Sequence, residues 1–152
     1  MEINMETSKT LKRALWFGIP AGLLVAGACA AMMMMSPPKD LDLALSKLSA
    51  GGIYRASINA NIEPVTVGRM HSWTVRLNTA TGAPVEGASI TVDGGMPQHG
   101  HGLPTVPKVT KYLGDGRYLV EGMKFNMPGW WTIKVEVDGV AGHDEAVFNL
   151  VL

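Results

Sequence analysis

Hydrophobic and polar residues divide the chain into two regimes. From Ala14 to Met35 the run ALWFGIPAGLLVAGACAAMMMM extends for 22 residues without a charge. From Gly51 onward, apolar residues instead recur at every second position, in short runs separated by glycine, proline and aspartate. Successive side chains of a strand point to opposite faces, so a period of two marks half-buried strands. Tyr54, Ala56, Ile58, Ala60 and Ile62 therefore share one predicted face. His71, Trp73, Val75 and Leu77 share a second, and Ala88, Ile90 and Val92 a third. Val106 to Tyr112 reads as a strand and Asp115-Gly116 as a hairpin turn. Tyr118 and Val120 have one parity while Met123, Phe125 and Met127 have the other, which predicts a β-bulge near Glu121-Gly122. Trp131, Ile133, Val135 and Val137 give the clearest alternation, Asp138-Gly139 a further turn, and Glu145 to Leu152 the last strand. About seven strands in roughly 100 residues, with no helical period, predict an all-β immunoglobulin-like sandwich.

The uncharged run carries a different message. Lys9, Lys12 and Arg13 precede it and Ser36-Pro37-Pro38 closes it, the order of an export signal. Its length suffices for one transmembrane helix, which needs about 20 residues. The basic flank puts residues 1–13 in the cytoplasm and the C-terminal domain in the periplasm, at the cell inner membrane. An uncleaved signal anchor over 14–35 is the favoured outcome, because the run exceeds the roughly 7–15 residues of an ordinary signal-peptide core. Cleavage at Ala28-Cys29-Ala30 and lipidation of Cys29 are the alternatives. Residues 36–50 are expected to act as a spacer, with one or two helical turns around Leu41, Leu43, Leu45 and Leu48. The folded domain then occupies 51–152.

Composition narrows the function classes. Thirteen basic and thirteen acidic residues are interspersed, so the chain has no electrostatic footprint for nucleic acid. Cys29 is the only cysteine and lies in the apolar run, which excludes an intrachain disulfide and any CxxC site. No phosphate loop, HExxH or dinucleotide-binding glycine pattern is present, and the expectation is that the protein is not an enzyme.

The candidate chemistry sits where the alternation fails. In Met96-Pro97-Gln98-His99-Gly100-His101-Gly102, two imidazoles stand two residues apart beside glycines that permit a tight backbone. Met96 adds a thioether, and imidazole with thioether suits copper. Met123 and Met127, in MKFNMPGW, are candidate supporting ligands if the sandwich brings them near; their parity with Phe125 equally fits core packing. His71, by its parity with Trp73, reads as a half-buried structural side chain, and His143 as a minor candidate. A His-x10-Met spacing from His71 lands on Gly82, and a blue-copper site would need a cysteine.

The elements MPQHGHGLPTVP, DGRY and MPGWWTIKVEV together resemble the YtkA-like and FixH-like family of small exported immunoglobulin-like domains. That resemblance implies a membrane-anchored or periplasmic protein concerned with copper handling or with assembly of haem-copper oxidases. Carried onto this chain, it implies His99, His101 and Met96 as metal ligands with Met123 and Met127 in support, and a membrane metalloprotein or oxidase complex as partner. The competing expectation is a metal-free sandwich that docks a membrane complex through its Met-Pro-Gly-Trp edge, Trp130 included.

Overall fold

The alternating runs fold into two antiparallel sheets packed face to face. The computed structural model describes residues 36–152, of which Pro37–Leu152 form one compact unit. The expected tail, membrane anchor and Cys29 lie outside the described residues. Among the described residues no helix is long and apolar enough to cross a membrane.

Nine strands make up this unit: β1 (Ser46–Leu48), β2 (Tyr54–Ala60), β3 (His71–Thr79), β4 (Ser89–Met96), β5 (His101–Gly102), β6 (Lys108–Gly114), β7 (Arg117–Met123), β8 (Trp130–Gly139) and β9 (Gly142–Val151). One sheet has the order β1-β2-β3-β7-β6 and the other β5-β4-β8-β9. The count exceeds the expected seven because two short edge strands, β1 and β5, arise in segments read as spacer and loop. In β1 the helical turns expected after the proline pair are absent. Leu41, Leu43 and Leu45 are spaced by two, a strand period, and Lys47 pairs with Ala56 of β2.

The inward parity matches the expected one in β2, β3, β4, β7 and β8. Trp131, Ile133, Val135 and Val137 are buried along β8, and Tyr54, Ala56 and Ile58 along β2. Tyr54, Phe125, Trp131 and Phe148, each at most 1% exposed, are the largest fully buried side chains. Ile62 is the exception: β2 ends at Ala60, and Ile62 falls in the connection beyond it.

The expected bulge is present. Trp73 pairs with Val120 but His71 with Met123, so two residues of β3 span three of β7, and Gly122 takes up the slack at φ 88°. Val120 and Met123 thereby both reach the core. The Asp115-Gly116 turn is also as read, a two-residue loop with both φ positive, at 55° and 69°. The last hairpin differs. Gly139 pairs with Gly142, so the chain reverses at Val140-Ala141 rather than at Asp138-Gly139. Gly139 is there for closeness instead, since a Cβ on it would lie 2.6 Å from the Tyr54 hydroxyl.

The β1–β2 end is fastened by one buried carboxylate. Asp144 accepts hydrogen bonds from the Ser49 hydroxyl at 2.6 Å and from the backbone N–H groups of Gly51, Ile53 and Glu145. Burial by itself raises a carboxyl pKa, but these four donors outweigh it and bring Asp144 down to about 2.

Candidate functional site

At the other end of the sandwich β4 and β5 form a small hairpin, with Met96 opposite His101 and Gly95 opposite Gly102. The N–H groups of His99 and Gly100 both donate to the Met96 carbonyl, at 3.0 and 2.9 Å, closing the loop between the strands. Gly100 sits at φ 68°, a conformation that L side chains rarely adopt. Gly95 serves close approach, because a Cβ there would lie 2.8 Å from the His101 carbonyl oxygen. Gly100 and Gly95 thus bend this segment so that the two imidazoles lie side by side.

The rings of His99 and His101 stack at a centroid separation of 5.9 Å and an angle of 27°. With metal–nitrogen bonds of about 2 Å, two imidazoles that share an ion hold their centroids roughly 5–6 Å apart. His99 is exposed and His101 half-buried. His101 Nδ1 lies 3.2 Å from the Gly102 carbonyl. A carbonyl only accepts, so the tautomer that satisfies this contact carries its proton on Nδ1 and its lone pair on Nε2.

That lone pair faces sulfur. His101 Nε2 lies 3.3 Å from Met127 Sδ. Neutral imidazole nitrogen and thioether sulfur are both electron-pair donors, so their approach is weakly rewarded unless a proton or a cation stands between them. A nitrogen and a sulfur bound to one ion at about 2.0 and 2.3 Å lie roughly 3.5 Å apart at a tetrahedral angle. The donor set and its spacing thus fit a soft metal ion.

Met127 is held in place from two sides. Its carbonyl accepts from Trp131 Nε1–H at 3.1 Å, and the loop that follows is tied to β9 by Gly129 N–H donating to the Leu152 carbonyl at 2.9 Å and by the reciprocal bond at 3.1 Å. Trp131 also meets His101 edge-on, with centroids 5.8 Å apart. Met96 is buried beneath, its methyl group packed against Gly129, where a Cβ would stand 2.9 Å away.

Met123 sits elsewhere. It is 1% exposed and stands opposite His71 in the β3–β7 register, with Phe125 between that pair and Trp131. Of the five expected ligands, His99, His101 and Met127 are drawn together, Met96 lies in the core under them, and Met123 belongs to the neighbouring His71 and Phe125 cluster. His71 is half-buried as expected, but only Nδ1 has a partner, the Arg69 carbonyl at 3.0 Å. Its Nε2 is buried without one. His143 lies with Asp138 at the opposite end of the β8–β9 hairpin, outside this group.

Trp131 is the site residue that strand parity misses, since periodicity reports burial and not what an indole N–H is aimed at. The available signal was its place four residues after Met127, the reach of a side chain folding back on a turn. Residues 94–107 and 125–133, which build the site, contain no charged side chain between Asp93 and Lys108 or between Lys124 and Lys134. Among the described residues no three His, Cys, Asp or Glu side chains are grouped to hold an ion.

A family model described as YtkA-like matches residues 52–136. No curated protein and no solved structure matches the chain.

Proposed function

The chain belongs to the YtkA-like family, and on that footing we propose that it is a membrane-tethered, periplasmic domain that binds copper and hands it to a membrane metalloprotein or oxidase under assembly. The observation that carries this reading is the 3.3 Å approach of His101 Nε2 to Met127 Sδ, with Nδ1 engaged by the Gly102 carbonyl. Around it, His99 supplies a second imidazole from the exposed side. Thioether and imidazole donors together select copper among the common first-row ions.

The arrangement suits a carrier more than a catalyst. One face of the seat is fixed by β5, Trp131 and the β9-anchored loop, which retains the ion. The exposed His99 is the ligand that an acceptor protein displaces first. Residues 14–35 supply the tether that keeps the domain beside a membrane-bound acceptor.

Titration of the full chain in detergent with copper tests the reading, with thermal melts to confirm folding. One equivalent should bind, and the His99→Ala/His101→Ala double variant should lose it while melting within a few degrees of the parent. Copper binding unchanged in the double variant would refute the site. Absence of binding in the parent, with a membrane complex still captured, would favour the metal-free docking module.

A further inference from the structure

We propose that the seat takes copper as Cu(I) and rejects Cu(II), and that Met127 is the residue that sets this preference. The inference rests on the copper reading and adds to it the oxidation state, which imidazoles alone leave open because nitrogen accepts either ion.

Charge is the first reason. Every donor at the seat is neutral, and the two segments that build it carry no anionic side chain over residues 94–107 and 125–133. An ion seated there keeps its full charge. The cost of taking an ion out of water grows with the square of that charge, so a dication costs roughly four times what a monocation does. Cu(II) offsets this by gathering a full tetragonal set of nitrogen and oxygen donors. Among the described residues no cluster of His, Cys, Asp or Glu supplies a third hard donor.

Coordination is the second reason. Cu(II) favours tetragonal nitrogen and oxygen sets, whereas thioether selects Cu(I). One flank of His101 is occupied by the edge of Trp131 at 5.8 Å. Beneath lies the buried Met96. Water has no room to complete a tetragonal set from those directions. The Trp131 N–H bonded to the Met127 carbonyl fixes the backbone from which the thioether reaches His101. Two imidazoles and one thioether suit the low coordination number that Cu(I) accepts.

The test compares the two ions on the full chain in detergent. Cu(I) is titrated anaerobically against a Cu(I)-specific chelator, Cu(II) against nitrilotriacetate with EPR detection, and Ag(I) serves as a redox-inert probe of the Met127 methyl resonance. Expected are one equivalent of Cu(I) or Ag(I), a shift of that resonance, and Cu(II) weaker by about a hundredfold or more. Met127→Leu keeps the side chain's volume, so it should fold as the parent does. It should weaken Cu(I) by about tenfold or more while leaving Cu(II) within about threefold. A stoichiometric Cu(II) EPR signal at comparable affinity, or a Met127→Leu variant that weakens both ions equally, would overturn the inference and leave the copper reading standing. Failure of the parent to bind either ion would overturn both.

Discussion

The two ends of the sandwich treat their polar groups in opposite ways. Where β1 and β2 meet β9, the buried Asp144 collects four hydrogen bonds and is thereby saturated. At the β4–β5 end, His101 Nε2 faces a sulfur, and His71 Nε2 and Trp73 Nε1 are buried without partners. A buried polar group without a partner costs about 1–3 kcal/mol. A fold that saturates one end and leaves an imidazole nitrogen and an indole N–H unpaired at the other concentrates stability in the first. The same division appears in charge, with a carboxylate at one end and only neutral side chains in the segments that make up the other.

The strongest way to break this contrast is to remove the carboxylate. Asp144→Ala strands the N–H groups of Gly51, Ile53 and Glu145, while the Ser49 hydroxyl keeps its bonds to Tyr54, and should cost about 2–4 kcal/mol of unfolding free energy by denaturant titration. Copper affinity of the remaining folded molecules should not change. If affinity falls in step with stability, the two ends are not independent.

Acid should expose the same clamp in the unaltered protein. Asp144 has a pKa of about 2 in the folded chain against an ordinary 3.8, so the folded state holds the carboxylate charged where the unfolded state has begun to take up a proton. Its contribution is complete above the unfolded value and is lost as pH falls from about 4 through about 2. Melting temperature should drop across that window, and Asp144→Asn should be less stable at neutral pH and flatter through it. An unchanged slope in the variant would remove Asp144 as the cause.

At the other end, backbone changes should touch the site more than the fold. Gly100 has open space around its Cα yet sits at φ 68°, so Gly100→Ala meets only conformational strain. The expected cost is about 1 kcal/mol, read from chemical denaturation. Because that turn aligns His99 with His101, copper affinity should fall by a larger factor than the stability change alone would give.

Legibility in the sequence followed the same division. Strand parity depends on burial, which hydrophobicity reports directly, and it located the core faces of β2, β3, β4 and β8 and the bulge at Gly122. It failed where backbone pairing, not side-chain burial, makes the strand. β1 has exposed Leu48 and Ser46 and owes its existence to hydrogen bonds with β2; β5 has only two residues. Asp138-Gly139 misled because a glycine required by the Tyr54 hydroxyl looks the same as one required by a turn. In the site, the His-Gly-His spacing was local and could be read. The meeting of His101 with Met127 spans 26 positions and depends on how β4 and β8 pair, whereas the β3–β7 register in the other sheet sets Met123 opposite His71. Parity could say that both methionines face inward but not which imidazole each one meets.

The smallest expected effect concerns the remaining histidine, and it sharpens the contrast by showing what an uninvolved imidazole looks like. His143 Nδ1 lies 2.8 Å from Asp138 Oδ1 across the β8–β9 hairpin, and both side chains are mostly exposed. The hydrogen bond to Asp138, assisted by its charge, raises the His143 pKa above the ordinary 6.5. With the folded value raised, the pair helps stability fully below the unfolded pKa and loses that help as pH rises through the folded one. Water and salt screen an exposed pair of this kind, so Asp138→Asn should leave the melting temperature nearly unchanged at pH 7. The imidazole resonance of His143 should nevertheless titrate at lower pH in the variant. Copper should not move it in either protein, whereas it should shift His99 and His101. A copper-dependent shift at His143 would mean that the ion seats at the anionic end of the sandwich, where a carboxylate offsets its charge, and the division between the two ends would fail.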